Sequence, residues 1–279
     1  MDLRLDRIAT LYLVNPVQRR AVTRVSIPIL MYHSVSNEAE EGVGAYFRTI
    51  TSPSVFAQHM RYLHDHEYST LSLAEAVSRL QNGDSTEKCA VITFDDGYAD
   101  FARHAFPELN RYGFTATVFL PTAFIGSSSC QFKGRDCLTW SQIRHLKRSN
   151  ISFGSHTVTH PQLSALTTAG VTREIVDSKQ TIEDELGEPV DSFAYPYAFP
   201  ERNISFVQWL RDVMIDCGYR QGVCTRIGTA RRDEDQYFLR RLPINTLDDI
   251  PLFSAKLQGA YDWLCTFQSM SKLIRAKIS

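Results

Sequence analysis

Two apolar patterns take turns along this chain. Short unbroken runs rich in Val, Ile, Phe and Thr, at residues 27–33, 90–94, 115–120, 151–154, 192–197, 222–224 and 238–242, read as buried β-strands. A shorter strand is expected at 68–71. Between them the apolar positions fall three and four apart, the spacing of one helix face. After Ser52-Pro53, Val55, Phe56, Met60 and Leu63 mark such a face. His59, His64 and His66, on or just after that helix, are assigned to its solvated side. Ser72-Leu73-Ala74-Glu75 is a capping box that opens a second helix, which stops near Asn82-Gly83. Further helices are expected at 98–112, from Thr139-Trp140 onward, and at 170–186, 201–217 and 247–263. Strand and helix alternate about eight times without repeats or low-complexity linkers, which implies a parallel sheet and favours a closed α/β barrel.

Polar residues cluster where strands end. His33 closes the first strand, Asp95-Asp96-Gly97 follows the 90–94 run, His156 and His160 follow the 151–154 run, and Tyr197 ends the 192–197 run. In such a barrel the carboxyl ends of the strands share one rim, and that rim carries the chemistry. Two adjacent carboxylates at the mouth of a buried strand are costly, because like charges disfavour joint ionisation. A metal ion would relieve that cost, one acid binding it while the other stays free as a base; a plain Asp-Gly turn is the alternative. His156 and His160 have the spacing of one helix face, but β-branched Thr157, Val158 and Thr159 and the following Pro161 predict a loop. Two imidazoles with Asp96 form a facial ligand set that leaves positions open for water and substrate.

Composition removes some classes of function. The 279 residues are 43% hydrophobic and 22% charged, with a formal net charge of −1. That is ordinary globular composition, with length for a large core. The near-zero charge gives no reason to expect a nucleic-acid partner. No apolar run reaches the ~18 residues a transmembrane helix needs. Residues 8–14 are apolar, but Asp2 and Asp6 precede them and no small-residue cleavage site follows, so no signal peptide is read. The expected location is cytoplasmic, with a peripheral place at the membrane as the minor alternative. Six cysteines contain no CxxC pair, which argues against a zinc knuckle and for reduced thiols. Cys130 and Cys137 flank a polar loop and are placed to pair if oxidised. The expected division is an N-terminal arm (1–26), one barrel domain (27–265) and a basic C-terminal tail (266–279) holding Lys272, Arg275 and Lys277.

Three segments carry a resemblance. Thr93-Phe94-Asp95-Asp96-Gly97, Ser155-His156-Thr157-Val158-Thr159-His160 and Tyr195-Pro196-Tyr197 resemble the leading motifs of the polysaccharide deacetylases, the NodB-homology or carbohydrate esterase family 4 fold. The resemblance runs from about residue 27 to 245, nearly the whole chain. It implies a single-domain, distorted (β/α) barrel of about seven strands. It implies Asp95 as general base, and Asp96, His156 and His160 as ligands of a divalent metal: zinc foremost, with nickel, cobalt or iron(II) as alternatives. It implies that Pro196 and Tyr197 line an acetyl pocket, with the Tyr197 backbone N–H helping to stabilise the oxyanion. Tyr195 and Trp140 are added as candidate substrate-binding residues.

The departures from the family pattern shape the remaining assignments. Many members carry an arginine in the third motif that orients the base; here that neighbourhood is Phe193-Ala194-Tyr195, and Ala198 replaces the usual glycine. The Tyr-Pro-Tyr form and the opening Met31-Tyr32-His33 resemble the branch of exopolysaccharide and poly-N-acetylglucosamine deacetylases. Arg241, in Arg240-Arg241-Leu242-Pro243, is the candidate partner of the base. Many relatives take a general acid from a histidine near the C-terminal end of the domain, but no histidine follows His160 here. His33 is therefore the candidate acid, since it alone of the uncommitted histidines ends a strand. Asp262-Trp263 resembles a further motif but lies too near the C-terminus and is read as packing. The expected function is metal-dependent removal of an N-acetyl group from an amino sugar of a polysaccharide, oligosaccharide or lipid-linked glycan precursor. An amidase or deformylase on another N-acyl group, and a non-catalytic glycan-binding barrel, are the alternatives.

Overall fold

Seven parallel strands lie side by side in this protein in the order in which they follow one another in the sequence. The computed structural model describes residues 4–18 and 25–268. The barrel strands are β1 (Ile29–Tyr32), β2 (Cys89–Phe94), β3 (Ala116–Leu120), β4 (Ile151–Ser155), β5 (Ser192–Ala194), β6 (Gln221–Ile227) and β7 (Leu239–Pro243). All pair in parallel, and the β1–β7 and β1–β2 pairings close the ring, as the resemblance implied. The short strand Ser69–Thr70 pairs with β2 outside the barrel.

The outer layer is helical, and its ends follow the sequence signals. Helix α1 (Pro53–Asp65) starts behind an Ser52 cap with proline in its first turn, and α2 (Leu73–Asn82) carries the full Ser72/Glu75 capping box and ends on left-handed Gly83. Residues 101–111 wind between β2 and β3. Helix α3 (Trp140–Leu146) is capped by Thr139 and Gln142, and α4 (Thr168–Leu186) ends on Gly187. Helices α5 (Ile204–Asp216) and α6 (Ile250–Leu257) complete the set. Helix α6 is shorter than the pattern predicted, and β6 runs to β7 without a helix: its connection folds back to pair Ala230–Arg231 with Ser26–Ile27. The barrel is therefore irregular on that side. Among the described residues no helix is long and apolar enough to cross a membrane. Of the basic tail, residues 269–279 lie outside the described residues, and so do 1–3 and 19–24 of the N-terminal arm.

The structure corrects one assignment on α1. His59 is fully buried, on the stripe it shares with Phe56, Met60 and Leu63. Its Nε2–H donates to the Asp248 carbonyl at 2.6 Å, so Nδ1 accepts from the Tyr32 hydroxyl at 3.1 Å. The ring also stacks on Phe253, with centroids 4.0 Å apart. Burial pushes its pKa from 6.5 down to about 4, despite the pull of the Asp248 carbonyl. The unfolded chain thus takes up a proton as pH falls through 6.5 while the folded protein resists it until about 4. Stability is lost across that window, by up to about 3 kcal/mol from this residue. His59→Gln is expected to flatten the fall in urea-unfolding free energy between pH 6.5 and 4.5; an equally steep fall would place the acid sensitivity elsewhere.

Candidate active site

Period-two alternation on β2 decides where its acids point. Ile92 and Phe94 pack outward with the helices, with Phe94 against Phe56 and Phe101, so Val91, Thr93 and Asp95 take the inner side. On β7 the same rule turns Leu242 outward and puts Leu239 and Arg241 inward. The two inward charges meet. Arg241 donates from Nη1 to Asp95 Oδ1 at 2.6 Å and from Nη2 to Oδ2 at 2.7 Å. Its Nε donates to the Cys224 carbonyl at 3.2 Å, and Nη1 also donates to Thr93 Oγ1 at 3.2 Å. Both members of the pair are buried. Burial works to raise the Asp95 pKa, but Arg241 first, then His156 and His33, hold it below the usual carboxylate range.

Asp96 breaks from the strand in a left-handed conformation, φ 70°, and its side chain leaves the Arg241 clamp. Its two oxygens have different surroundings. Oδ2 accepts from the Tyr98 hydroxyl at 3.1 Å and lies 3.7 Å from Lys133 Nζ. Oδ1 is buried without a hydrogen-bond partner, 3.3 Å from His160 Nε2 and 3.7 Å from His156 Nε2. Burial again pushes the carboxyl's pKa up, and His160, His33, His156 and Lys133 together drive it far below the usual range.

Only one of the two histidines is held from behind, since His160 Nδ1 is buried without a hydrogen-bond partner. His156 Nδ1–H donates to the Ala194 carbonyl at 2.7 Å, which fixes the tautomer and leaves Nε2 to face the acids. Burial lowers its pKa to about 4, so the ring is neutral. The loop between the histidines is gripped by Glu174 of α4, which accepts from the Val158 and Thr159 N–H groups at 2.8 and 2.9 Å and from Thr159 Oγ1 at 2.6 Å. Thr157 Oγ1 in turn accepts from the His160 N–H at 3.0 Å. Asp96, Lys133, Thr157, His160 and Tyr197 all have φ between 50° and 70°. Left-handed backbone costs non-glycine residues of order 1–3 kcal/mol each, and its concentration here marks a site that the surrounding fold holds in place.

The other expected residues divide. His33 follows β1 on the same rim, with Nε2 4.0 Å from Asp95 Oδ2. Burial lowers its pKa against the opposite pull of Asp95 and Asp96, so the imidazole rests neutral. Tyr197 is 48% exposed and meets the His160 ring edge-on at 4.6 Å. Tyr195 and Trp140 are corrected. Tyr195 is fully buried with its ring edge-on to Phe199, and Trp140 is 6% exposed within the core at the first turn of α3, so neither offers a face to a sugar. Pro196 is buried beside Tyr197. Asp262 serves packing, as read: it accepts from Thr229 and Arg231.

Two contributors went unnoticed in the sequence. Glu174 lies mid-helix, where an acid reads as solvated. Lys133 sits with Gly134 in the two-residue turn of the hairpin formed by Gln131–Phe132 and Arg135–Asp136. Its ammonium lies 4.5 Å from the Phe132 ring centre and 5.2 Å from that of Tyr197. Cys130 and Cys137 flank this hairpin as free thiols, joined by the Cys137 N–H to Cys130 carbonyl bond at 2.8 Å.

One carboxylate oxygen and two imidazole nitrogens, all within 4.8 Å of one another, make a donor set suited to a divalent cation. The unpartnered Asp96 Oδ1 is the observation that fits it best, since a buried acceptor without a donor is costly unless a cation completes it.

The paired acids and histidines lie on the carboxyl rim, where parallel barrels carry their chemistry, and comparison with known proteins gives the class. Residues 82–222 match the family described as polysaccharide deacetylase. A Bacillus subtilis (strain 168) protein named as a polysaccharide deacetylase, YxkH, is 34% identical over 237 residues, covering 84% of this chain and 75% of its own. The Streptococcus pyogenes deacetylase PplD, solved in complex with acetate, superposes with a TM-score of 0.72 at 28% identity, over 84% of this chain and 99% of that one. The poly-β-1,6-N-acetyl-D-glucosamine N-deacetylase of Escherichia coli K12 is 30% identical over 142 residues, 46% of this chain but only 20% of that protein. The chain belongs to the polysaccharide deacetylase family, hydrolases of non-peptide amide bonds with the NodB-homology fold.

Proposed function

We propose that this protein removes the N-acetyl group from an amino sugar of a glycan, as a polymer or a lipid-linked precursor, with Asp96, His156 and His160 holding a divalent cation. The observation that carries this reading is the split between adjacent carboxylates: Asp95 has both oxygens committed to Arg241, whereas Asp96 keeps one buried oxygen unpaired before two imidazole nitrogens. Adjacent acids in unlike surroundings suit unlike roles. A divalent cation, zinc foremost, supplies Lewis acidity to an amide carbonyl and to water.

The protein's own groups account for the proton's path. Asp95 is ionised at rest and takes a proton as water oxygen bonds to the acetyl carbon. His33 rests neutral, so the proton it passes to the departing nitrogen is the one Asp95 has taken. The low proton affinity that Arg241 gives Asp95 favours that hand-over. The carbon–nitrogen bond then breaks to acetate and a free amine. Tyr197, exposed at the rim, is the candidate wall of the acetyl pocket.

Metal content and released acetate test the two halves of this reading. His156→Ala and His160→Ala are each expected to lose stoichiometric zinc by mass spectrometry and to lose acetate release from N-acetylglucosamine oligomers. Folding should survive, because the barrel core below the rim is untouched. Full zinc retention in both variants would defeat the ligand assignment. Release of formate or another acid, with no acetate, would defeat the substrate assignment.

A further inference from the structure

Lys133 is set at the mouth of the site by a hairpin that the rest of the rim holds in place. It shares the two-residue turn with Gly134, both left-handed at φ 50° and 78°, the turn that matches the twist of a hairpin. The hairpin is keyed to the chain that follows the paired acids. The Ala99 N–H donates to the Asp136 carbonyl and the Leu138 N–H to the Gly97 carbonyl, both at 2.8 Å. Phe132, beside Lys133, is 7% exposed, with its ring 4.4 Å from that of Phe124 and 5.1 Å from that of His160. A surface lysine ordinarily carries its ammonium into water. This one lies over the Phe132 and Tyr197 rings and stops 3.7 Å from Asp96 Oδ2, just beyond hydrogen-bond distance.

Lys133 has no counterion to itself. The neighbouring charges are committed elsewhere: Asp95 to Arg241, Arg135 to Glu38 at 3.0 Å, and Glu174 to the backbone of the histidine loop. Asp96, on the reading above, belongs to a divalent cation and cannot also neutralise Lys133. A fixed ammonium in that position attracts an anion and repels a cation. It stands against Tyr197, the candidate wall of the acetyl pocket, and against the ligand carboxylate, so the substrate group it meets is the one next to the acetamide. In a polymer each turnover leaves an amine there, a cation near neutral pH, which Lys133 opposes. A phosphate there is what it favours. We propose that Lys133 selects amino sugars that carry a phosphate beside the acetamide, as the sugar of a lipid-linked precursor does through its anomeric oxygen, over neutral polymer. This deepens the function proposed above and rests on it.

Two N-acetylglucosamine derivatives unlike in charge test this: the anomeric phosphate and the neutral methyl glycoside. The zinc-loaded wild-type protein is expected to favour the phosphate, and Lys133→Met to cut that preference by about 10-fold in kcat/KM, the scale of one close charge pair partly screened by water. Lys133→Arg should keep most of it. The preference is a ratio within each protein, so a general loss of fold or zinc, which lowers both substrates alike, does not imitate the effect. Raising salt from about 0.05 to 0.5 M should compress the wild-type preference more than that of Lys133→Met. Equal preference in wild type and Lys133→Met, or equal use of both sugars by the wild type, would overturn the proposal. Calorimetric binding of the same two sugars reads the preference without turnover. A charge preference in binding without acetate release would defeat the reaction proposed above and uphold Lys133; acetate release without the preference would defeat Lys133 alone.

Discussion

Asp95→Asn is expected to lower kcat by ~10² to 10⁴ while leaving the bound metal at wild-type stoichiometry. The amide cannot take water's proton, but Asp96 and the two histidines are untouched. The substitution should also cost stability, which a role in catalysis alone would not predict. The Arg241 fork needs two acceptors, and carboxylate oxygens 2.6 and 2.7 Å away provide them. Asparagine supplies one acceptor and turns an NH2 group toward a guanidinium N–H. Breaking one side of a buried ion pair leaves an uncompensated charge and costs about 3–5 kcal/mol. Acetate release, metal content and urea unfolding check the three parts separately. Metal loss in this variant would exchange the roles of the two acids.

Arg241→Ala should be comparably damaging, through the same carboxylate from the other side. Burial alone would raise the Asp95 pKa; Arg241 is the leading influence that brings it below the ordinary range. Without the guanidinium the carboxyl must rise. A base that must be ionised then becomes available only at higher pH, so the acid limb of the pH–rate profile moves upward. The stability sign agrees. A depressed folded-state pKa contributes stability above the unfolded value and loses it as pH falls through the folded one, and the variant forgoes that contribution. Arg241→Lys keeps the charge but loses the fork, and should shift the limb less. An acid limb that stays in place in both variants would show that Arg241 does not act through Asp95.

Much of the fold was legible because its signals are local. The capping box at Ser72 and Glu75, the left-handed stops at Gly83 and Gly187, and the apolar runs of β2 and β3 all depend on residues a few positions apart. Asp95, Asp96, His156 and His160 were legible as a rim because strand ends converge in any parallel barrel. His59 was misread although its signal was present: it lies three residues after Phe56 and four before Leu63, on the stripe those residues define. A histidine there is buried unless something intervenes. Lys133 and Glu174 had no such signal. Each reaches the site across a turn or helix far from it in sequence, and no local pattern distinguishes them from solvated charges. Tyr195 and Trp140 failed for the opposite reason: an aromatic near a motif fits a sugar face and a core equally well, and only packing separates the two.

The strand order has a consequence for how the site is completed during folding. From β1 through β7 each new strand adds beside its predecessor, and even the longest of these closures, between β1 and β2, joins residues 62 apart such as Leu30 and Ile92. The final pairing, between β7 and β1, spans nearly the whole domain, and it sets Leu242 opposite Leu30. Long-range closure is the entropically expensive step and comes late. Arg241 arrives on that strand, 146 residues after Asp95. Until the ring closes, the Asp95 carboxylate lacks the cation that offsets its burial, and β1 presents an unpaired edge. A chain still emerging from the ribosome at residue 238 holds all three candidate metal ligands but not the clamp on its candidate base.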